Sequence, residues 1–303
     1  MKSLLPYAQL VRLPNVFTAM ADIVLGYLVM LGLGARFGAF VCLLIASTLL
    51  YWAGMVWNDY FDLAEDRRDR PGRPLPSGRV AVSTAVWLGI GFFAGGVLFA
   101  FLADLQAERL HYVSTSIAVC LVVAILLYDG ALKETIVGPF VMGGCRFLNI
   151  LLGLSVIGDF PPVWGLLLAT VVGFYVTGVT LFARTEAKTS NPADLKMAAA
   201  VIAGSLVLAL AVPALAQSRG ADVTASPLFP YLLVVFAFVL GLAVVPAIRS
   251  PVPIRVQSAV KRALLGLVVL DALLASSLVG LFGLLLALLV LPGIYLGRWL
   301  YST

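Results

Sequence analysis

Between residues 58 and 66 the sequence places an amide and three aspartates, Asn58, Asp59, Asp62 and Asp66, with Glu65 among them, in a chain with only 12% charged residues. The aspartates stand at i, i+3 and i+7, so on a helix they share one face, and Asn58 joins them through Asp62 at i+4. Like charges stacked this way repel, and the arrangement is stable only where cations occupy it. Arg67, Arg68 and Arg70 follow directly and would pair with the acids in a solvated loop. Alternatively, the oxygen-only donor set suits a hard divalent ion. Mg2+ is commonly held by one or two carboxylates while substrate phosphates complete its shell. The next turn, RPGRPLPSG, is stiffened by Pro71, Pro74 and Pro76, and would hold Arg73 and Arg79 near the acids.

The elements that must position these groups are membrane helices. Of 303 residues, 62% are apolar, and the mean hydropathy is +1.06. A soluble domain carries about 25% charged residues, so one aqueous core cannot account for this composition. About 20 apolar residues cross the hydrocarbon core. Spans are expected near 15–33, 37–57, 80–103, 112–128, 136–157, 163–183, 196–216 and 228–247. The last apolar run, 263–297, is too long for one crossing, and Gly280 and Gly283 are its expected break points. The fold class is therefore an all-α, multi-span membrane bundle of nine or ten helices, in one domain covering 1–303. The first span lacks a small-residue cleavage pattern after it and reads as a retained helix.

Lys and Arg concentrate on one side of these spans. That side holds Lys2, Arg12, Arg67, Arg68, Arg70, Arg73, Arg79, Lys133, Arg184, Lys188, Arg249, Arg255, Lys261 and Arg262, with Lys196 at its edge, whereas the other has Arg36, Arg109 and Arg219. This bias places the acidic stretch in the cytoplasm, at an inner or plasma membrane. The pI near 9.2 is thus a matter of topology, and no nucleic-acid partner is expected. Cys42, Cys120 and Cys145 lie in apolar stretches and read as packing residues, without zinc or disulfide spacing. The single histidine, His111, sits at a span edge, which excludes a His dyad. No phosphate-binding loop of the G-x-x-x-x-G-K-[ST] type occurs.

NDYFDLAED, from Asn58 to Asp66, resembles the N-D-x-x-D-x-x-x-D motif of the UbiA superfamily of intramembrane prenyltransferases. RPGRPLPSG resembles the continuation usual there. VRLPN (Val11–Asn15) and YDGALKETIVGPFVMGGCRFLNILLG (from Tyr128) are similar to that family too, and among its branches to UbiA-like proteins of the EboC type. The resemblance implies a UbiA-like bundle that ionises an allylic diphosphate with Mg2+ and passes the isoprenoid group to a lipophilic, aromatic acceptor. It implies Asp59, Asp62, Asp66 and Glu186 as metal ligands with Asn58 beside them, and Lys133 as a diphosphate contact. Arg73 is a further candidate for that contact.

The superfamily pairs its first acidic motif with a second, usually D-x-x-x-D. Sliding the chain by 124 residues aligns Gly54 with Gly178, Asp62 with Glu186 and Asp66 with Ser190, so only one carboxylate survives. Asp194 would substitute only if its loop folded back. Arg184 and Lys188 flank Glu186, either neutralising it or supplying phosphate contacts. Arg146 and Asn149 fall inside a span, where an Arg must face the bundle interior and a partner. They are i, i+3 neighbours, suited either to structural hydrogen bonds or to the substrate pocket. Tyr128 and Tyr175 offer ring faces to an allylic cation or serve as interface anchors. Asp271 is an intramembrane acid whose expected partners are Lys261 or Arg262. Asp129 and Glu134 read as ordinary loop charges. Two other functions share these features: a transporter or scaffold for isoprenoid lipids, and a hydrolase in which water takes the allylic cation.

Overall fold

Residues 4–32, 34–184 and 189–300 are described by the computed structural model, and no strand occurs among them. Nine helical segments there are long and apolar enough to cross a membrane. A short α1 (Leu5–Leu10) precedes α2 (Val16–Leu31) and α3 (Phe37–Phe61). They are followed by α4 (Leu63–Asp69), α5 (Val82–Asp104), α6 (Val113–Leu127), α7 (Gly138–Leu154) and α8 (Val163–Ala183). The second half continues with α9 (Pro192–Ala209), α10 (Ala211–Ser218), α11 (Phe229–Arg249), α12 (Pro253–Val279) and α13 (Val290–Leu300). Proline in the first turn starts α7, α9, α11 and α12, where its missing N–H costs nothing. Asn191 caps α9 by accepting from the Ala193 N–H at 3.0 Å.

Two buried clusters hold the bundle together. One joins α2, α3, α5 and α6 around Leu43, Leu50, Phe93 and Leu121. The other joins α7, α8, α9, α11 and α12 around Ile150, Leu168, Tyr175 and Leu267. Large apolar side chains such as Trp87, Val234, Phe238 and Ile254 point outward, as lipid-facing surface requires. The protein is an integral, multi-pass membrane protein.

Between the halves, α2 packs on α7 through Gly26 and Gly153. A Cβ at Gly26 would overlap the Gly153 backbone and come within 2.6 Å of Leu154 N. Small residues at a helix crossing let backbones approach this closely.

The last apolar run folds back on itself, as its length requires. After α12 the chain reverses at Gly280, whose φ of 73° is the left-handed region that glycine tolerates. A 3-10 segment, Gly280–Leu289, folds back along α12, with Gly283 against the Ala275 and Ser276 backbone. At about 2.0 Å per residue for this segment and 1.5 Å for α13, the return arm reaches about 36 Å, enough to cross. It ends beside the N-terminal segment, where Gln9 Nε2 donates to the Leu300 carbonyl at 3.4 Å. Both described termini therefore lie on one side.

Candidate active site

The acidic stretch is helical almost throughout. Asp62 N–H donates to the Asn58 carbonyl at 3.0 Å and Asp66 N–H to that of Asp62 at 2.9 Å, so α4 continues α3 with little break. Asp62 and Asp66 line a cavity of about 680 Å³ that runs from this rim into the bundle, and Asn58 lines it beside them. Asp59 is placed differently. It is 3% exposed and lies behind the lining, 3.2 Å from Arg12 Nη2 and 3.6 Å from Arg73 Nη1. The shared face expected for the three acids thus splits into two cavity acids and one framework acid.

Each cavity acid meets a cation from another segment. Arg73 Nη1 donates to Asp66 Oδ2 at 2.6 Å. Lys133 Nζ donates to Asp62 Oδ2. Arg73 reaches back because the proline-rich turn reverses the chain, with Ser77 N–H and Oγ both on the Arg73 carbonyl. Lys133 is delivered by a π-helical turn, Tyr128–Leu132, closed by its own N–H on the Tyr128 carbonyl at 2.9 Å. Such turns inside helices are frequent at functional sites. The expectation that Arg67, Arg68 and Arg70 neutralise the acids is replaced by Arg73, Lys133 and Arg12, although Arg70 does line the rim.

The same π turn brings in Asp129, whose place in the sequence suggests only an ordinary loop charge. It lines the cavity and accepts from Asn58 Nδ2 at 3.0 Å, while Asn58 Oδ1 accepts from Arg12 at 3.1 Å. Glu134 also borders the cavity, and its backbone carbonyl accepts from Arg184 Nη2 at 2.9 Å. Arg12 adopts φ 47°, strained for a side chain with a Cβ, and this aims it at Asn58 and Asp59. Its signal was present in VRLPN, a basic residue before a proline-started helix.

The second acidic region is only partly visible. Glu186 and Lys188 lie outside the described residues. Arg184 lines the cavity. Ser190 is buried, and its N–H donates to the Pro251 carbonyl at 3.1 Å. Asp194 is exposed in the first turn of α9 and does not line the cavity, so the described chain does not fold it back to the site.

Deeper, the walls turn apolar with Leu50, Met55, Ile125, Met142 and Val179, and Tyr128 and Cys145 line them too. Cys145 therefore borders the cavity as well as packing. Tyr175 does not reach it: the ring is fully buried and its hydroxyl donates to the Ala263 carbonyl at 2.9 Å. At the floor stand Ser47, Arg146 and Asn149. Arg146 Nη1 pairs with Asp22 Oδ2 at 2.9 Å and its Nη2 meets Thr18 Oγ1 at 2.5 Å. Asn149 Nδ2 donates to Asp22 Oδ2 at 2.6 Å and Ser47 Oγ to Asn149 Oδ1 at 2.8 Å. Arg146 and Asn149 are thus both structural and cavity-lining. Asp271 abuts Asp22 and not Lys261 or Arg262.

Among the described residues no three His, Cys, Asp or Glu side chains converge into a ready-made metal cluster. The donor chemistry nevertheless fits Mg2+. Asp62, Asp66, Asn58 and Asp129 present hard oxygen atoms around one cavity, and one or two carboxylates suffice where water and phosphate complete the shell.

The profile of the UbiA prenyltransferase family matches residues 19–255. A digeranylgeranylglyceryl phosphate synthase of Methanopyrus kandleri is 32% identical over 170 residues, covering 54% of this chain and 58% of that one. One from Saccharolobus solfataricus is 28% identical over 178 residues, covering 58% and 60%. The chain spans about 60% of the length of these curated relatives. A solved structure concerning digeranylgeranylglyceryl phosphate synthase in membranes superposes with a TM-score of 0.66 at 18% identity, covering 97% of this chain and 100% of that one. A UbiA homologue from Archaeoglobus fulgidus bound to GPP and Mg2+ gives 0.63 at 14%, covering 93% and 99%. At these identities the likeness is one of fold. None of these matches bears on the EboC-type branch. By the extent of the profile match and the shared bundle, the chain belongs to the UbiA prenyltransferase family.

Proposed function

We propose that this protein transfers an isoprenoid group from an allylic diphosphate to a lipophilic acceptor within the membrane, from the cytoplasmic side. The observation that carries the reading is the cavity's polarity. A rim of paired acids and cations opens onto apolar walls, matching a substrate with a diphosphate head and a hydrocarbon tail. In the reaction the C–O bond to diphosphate breaks, the allylic carbon bonds to the acceptor, pyrophosphate leaves and the acceptor loses a proton.

Lys133 and Arg73 hold the diphosphate oxygens, where their donors stabilise charge that grows as the C–O bond breaks. Arg184 adds a third cation at the same rim. Asp62 and Asp66 would hold Mg2+, with Asn58 and Asp129 beside them and Glu186 as the further ligand candidate. Mg2+ when bound supplies Lewis-acid stabilisation of the leaving group. Asp59 fixes Arg12 and Arg73 from behind. The apolar walls seat the prenyl chain and keep water from the allylic carbon, and the Tyr128 ring face favours positive charge there. An aromatic ring or an alcohol fits these walls as acceptor.

The test is binding of farnesyl and geranylgeranyl diphosphates to purified protein in detergent, with and without Mg2+. Mg2+-dependent binding that Asp62→Ala abolishes supports the reading. Mg2+-independent binding, or an indifferent Asp62→Ala, overturns it in favour of a lipid carrier.

A further inference from the structure

The cavity floor is polar where a prenyl chain needs nothing polar. Ser47 lies eleven residues before Asn58 on α3, about 16 Å below the rim at 1.5 Å per residue. There Ser47, Arg146 and Asn149, with Tyr51 one turn above Ser47, interrupt a wall lined mainly by apolar side chains. Polar side chains at this depth are costly unless they pair or bind something. Arg146 uses two of its five N–H groups, on Asp22 and Thr18, and the other three have no partner among the described residues.

The charge of this floor is already matched. Arg146 is its one cation among the described residues, and Asp22, fully buried, sits 2.9 Å away. Asp271, also fully buried, abuts Asp22, and neither of its oxygens receives a hydrogen bond. The Tyr175 ring is the other titratable group near Asp271, and Tyr51 the one near Arg146. Whether or not the carboxyl pair carries a proton, the sum is zero or negative. An anionic group docking here would be buried without compensation. An uncharged oxygen accepts from Arg146 at no such cost.

Resting on the prenyl-transfer reading, we propose that the free N–H groups of Arg146 bind an uncharged oxygen function, a hydroxyl or carbonyl, of the acceptor, while Ser47 and Asn149 hold the floor in place: Ser47 Oγ donates to Asn149 Oδ1, and Asn149 Nδ2 to Asp22 and to the Ala19 carbonyl. The rim takes the charged donor substrate and the floor takes the neutral end of the second one. Asp22 acts through Arg146 and Asn149 as a positioning residue that sets this charge selectivity.

The probes are methyl 4-hydroxybenzoate and 4-hydroxybenzoate, one ring with a neutral or an anionic end. Their binding is measured in detergent at neutral pH for wild type, Asp22→Asn and Ser47→Ala. Wild type is expected to favour the ester by about tenfold or more, roughly 1.4 kcal/mol. Asp22→Asn leaves Arg146 less compensated and should move that ratio about tenfold toward the acid. Detergent partitioning is common to all variants and cancels in this comparison. Ser47→Ala, a small change that folds if Asp22→Asn does not, leaves Asn149 Oδ1 without its donor and loosens the group that Asn149 and Asp22 form around Arg146, which should weaken the ester about threefold to tenfold. The proposal is overturned by equal or tighter binding of the acid to wild type, by no binding of either probe, or by an ester affinity that Ser47→Ala leaves unchanged. A ratio that a folded Asp22→Asn leaves in place overturns it too. Geranylgeranyl diphosphate binding on the same preparations separates these results from failure of the prenyl-transfer reading.

Discussion

Asp22 and Arg146 stand 124 residues apart in the chain, and their side chains meet at 2.9 Å in the membrane interior. The crossing of α2 and α7 thus carries opposite charges that pair with each other. Removing one partner leaves a buried charge uncompensated, which costs about 3–5 kcal/mol. Asp22→Ala is therefore expected to lower Tm strongly, and Asp22→Ala with Arg146→Leu to recover much of the loss. Asp271→Asn should leave Tm unchanged or raised, because an amide can donate to the facing Asp22 carboxyl where the Asp271 oxygens have no partner. Thermal unfolding in detergent checks all three.

The split between Asp59 and Asp62 gives a second test. Asp59 holds Arg12 and Arg73 behind the cavity, and Asp62 faces into it. Asp59→Asn should cost mainly stability, through two guanidiniums that lose a shared carboxylate. Asp62→Asn should cost mainly Mg2+-dependent diphosphate binding, with little change in Tm. Parallel Tm and binding measurements on the two variants distinguish these roles, and identical behaviour would refute the division.

Lys133 illustrates a third expectation. A hydrogen bond to a charged group contributes about 1.5–3 kcal/mol. Lys133→Met should therefore weaken diphosphate binding by about 10- to 100-fold, as read by titration with geranylgeranyl diphosphate and Mg2+. The π turn that presents Lys133 is closed by backbone groups, so its far-ultraviolet dichroism should not change.

The spans and the rim were legible in the sequence because charge is rare in this chain, so each cluster of it stands out. Asn58, Asp62, Asp66, Lys133 and Arg73 line one end of the cavity, and Asp59 stands behind them. Asp129 was not legible, because only the π turn rotates it toward Asn58, and helical spacing does not announce such a turn. Asp22 was hidden differently. A lone acid in a span of ordinary hydropathy gains meaning only beside Arg146, although the requirement that Arg146 have an intramembrane partner pointed to an acid of this kind. Tyr175 misled because its place along a span does not reveal which way the ring faces, and its hydroxyl turns to α12.

Gly26 carries a prediction about how the halves fit together. A Cβ there would press on the Gly153 and Leu154 backbone, which cannot move aside as a side chain end would. Gly26→Ala should push α2 from α7 and cost about 1–3 kcal/mol, the usual range for overpacking. Since Asp22 lies one turn earlier on α2, the same shift should lengthen its pair with Arg146. The variant should accordingly lose Tm, whereas Gly91→Ala, with open space around its Cβ, should not.

The course of the C-terminal arm yields the last prediction. Gly280 turns the chain back, and α13 returns to Gln9 and Pro14 beside the N-terminal segment. An unbroken helix through the same residues would instead end far beyond the opposite face, since 48 residues at 1.5 Å each reach about 72 Å. Cysteines introduced at Leu4 and Trp299, in a background where the three native ones are replaced by serine or alanine, should therefore react from the same side of sealed vesicles with a membrane-impermeant maleimide. A cysteine at Arg109, between α5 and α6, should react only from the other side. Labelling of positions 4 and 299 from opposite sides would rule out the return arm. Labelling of both from the cytoplasmic side would also place the acidic rim there, since α3 ends on the side where α1 begins.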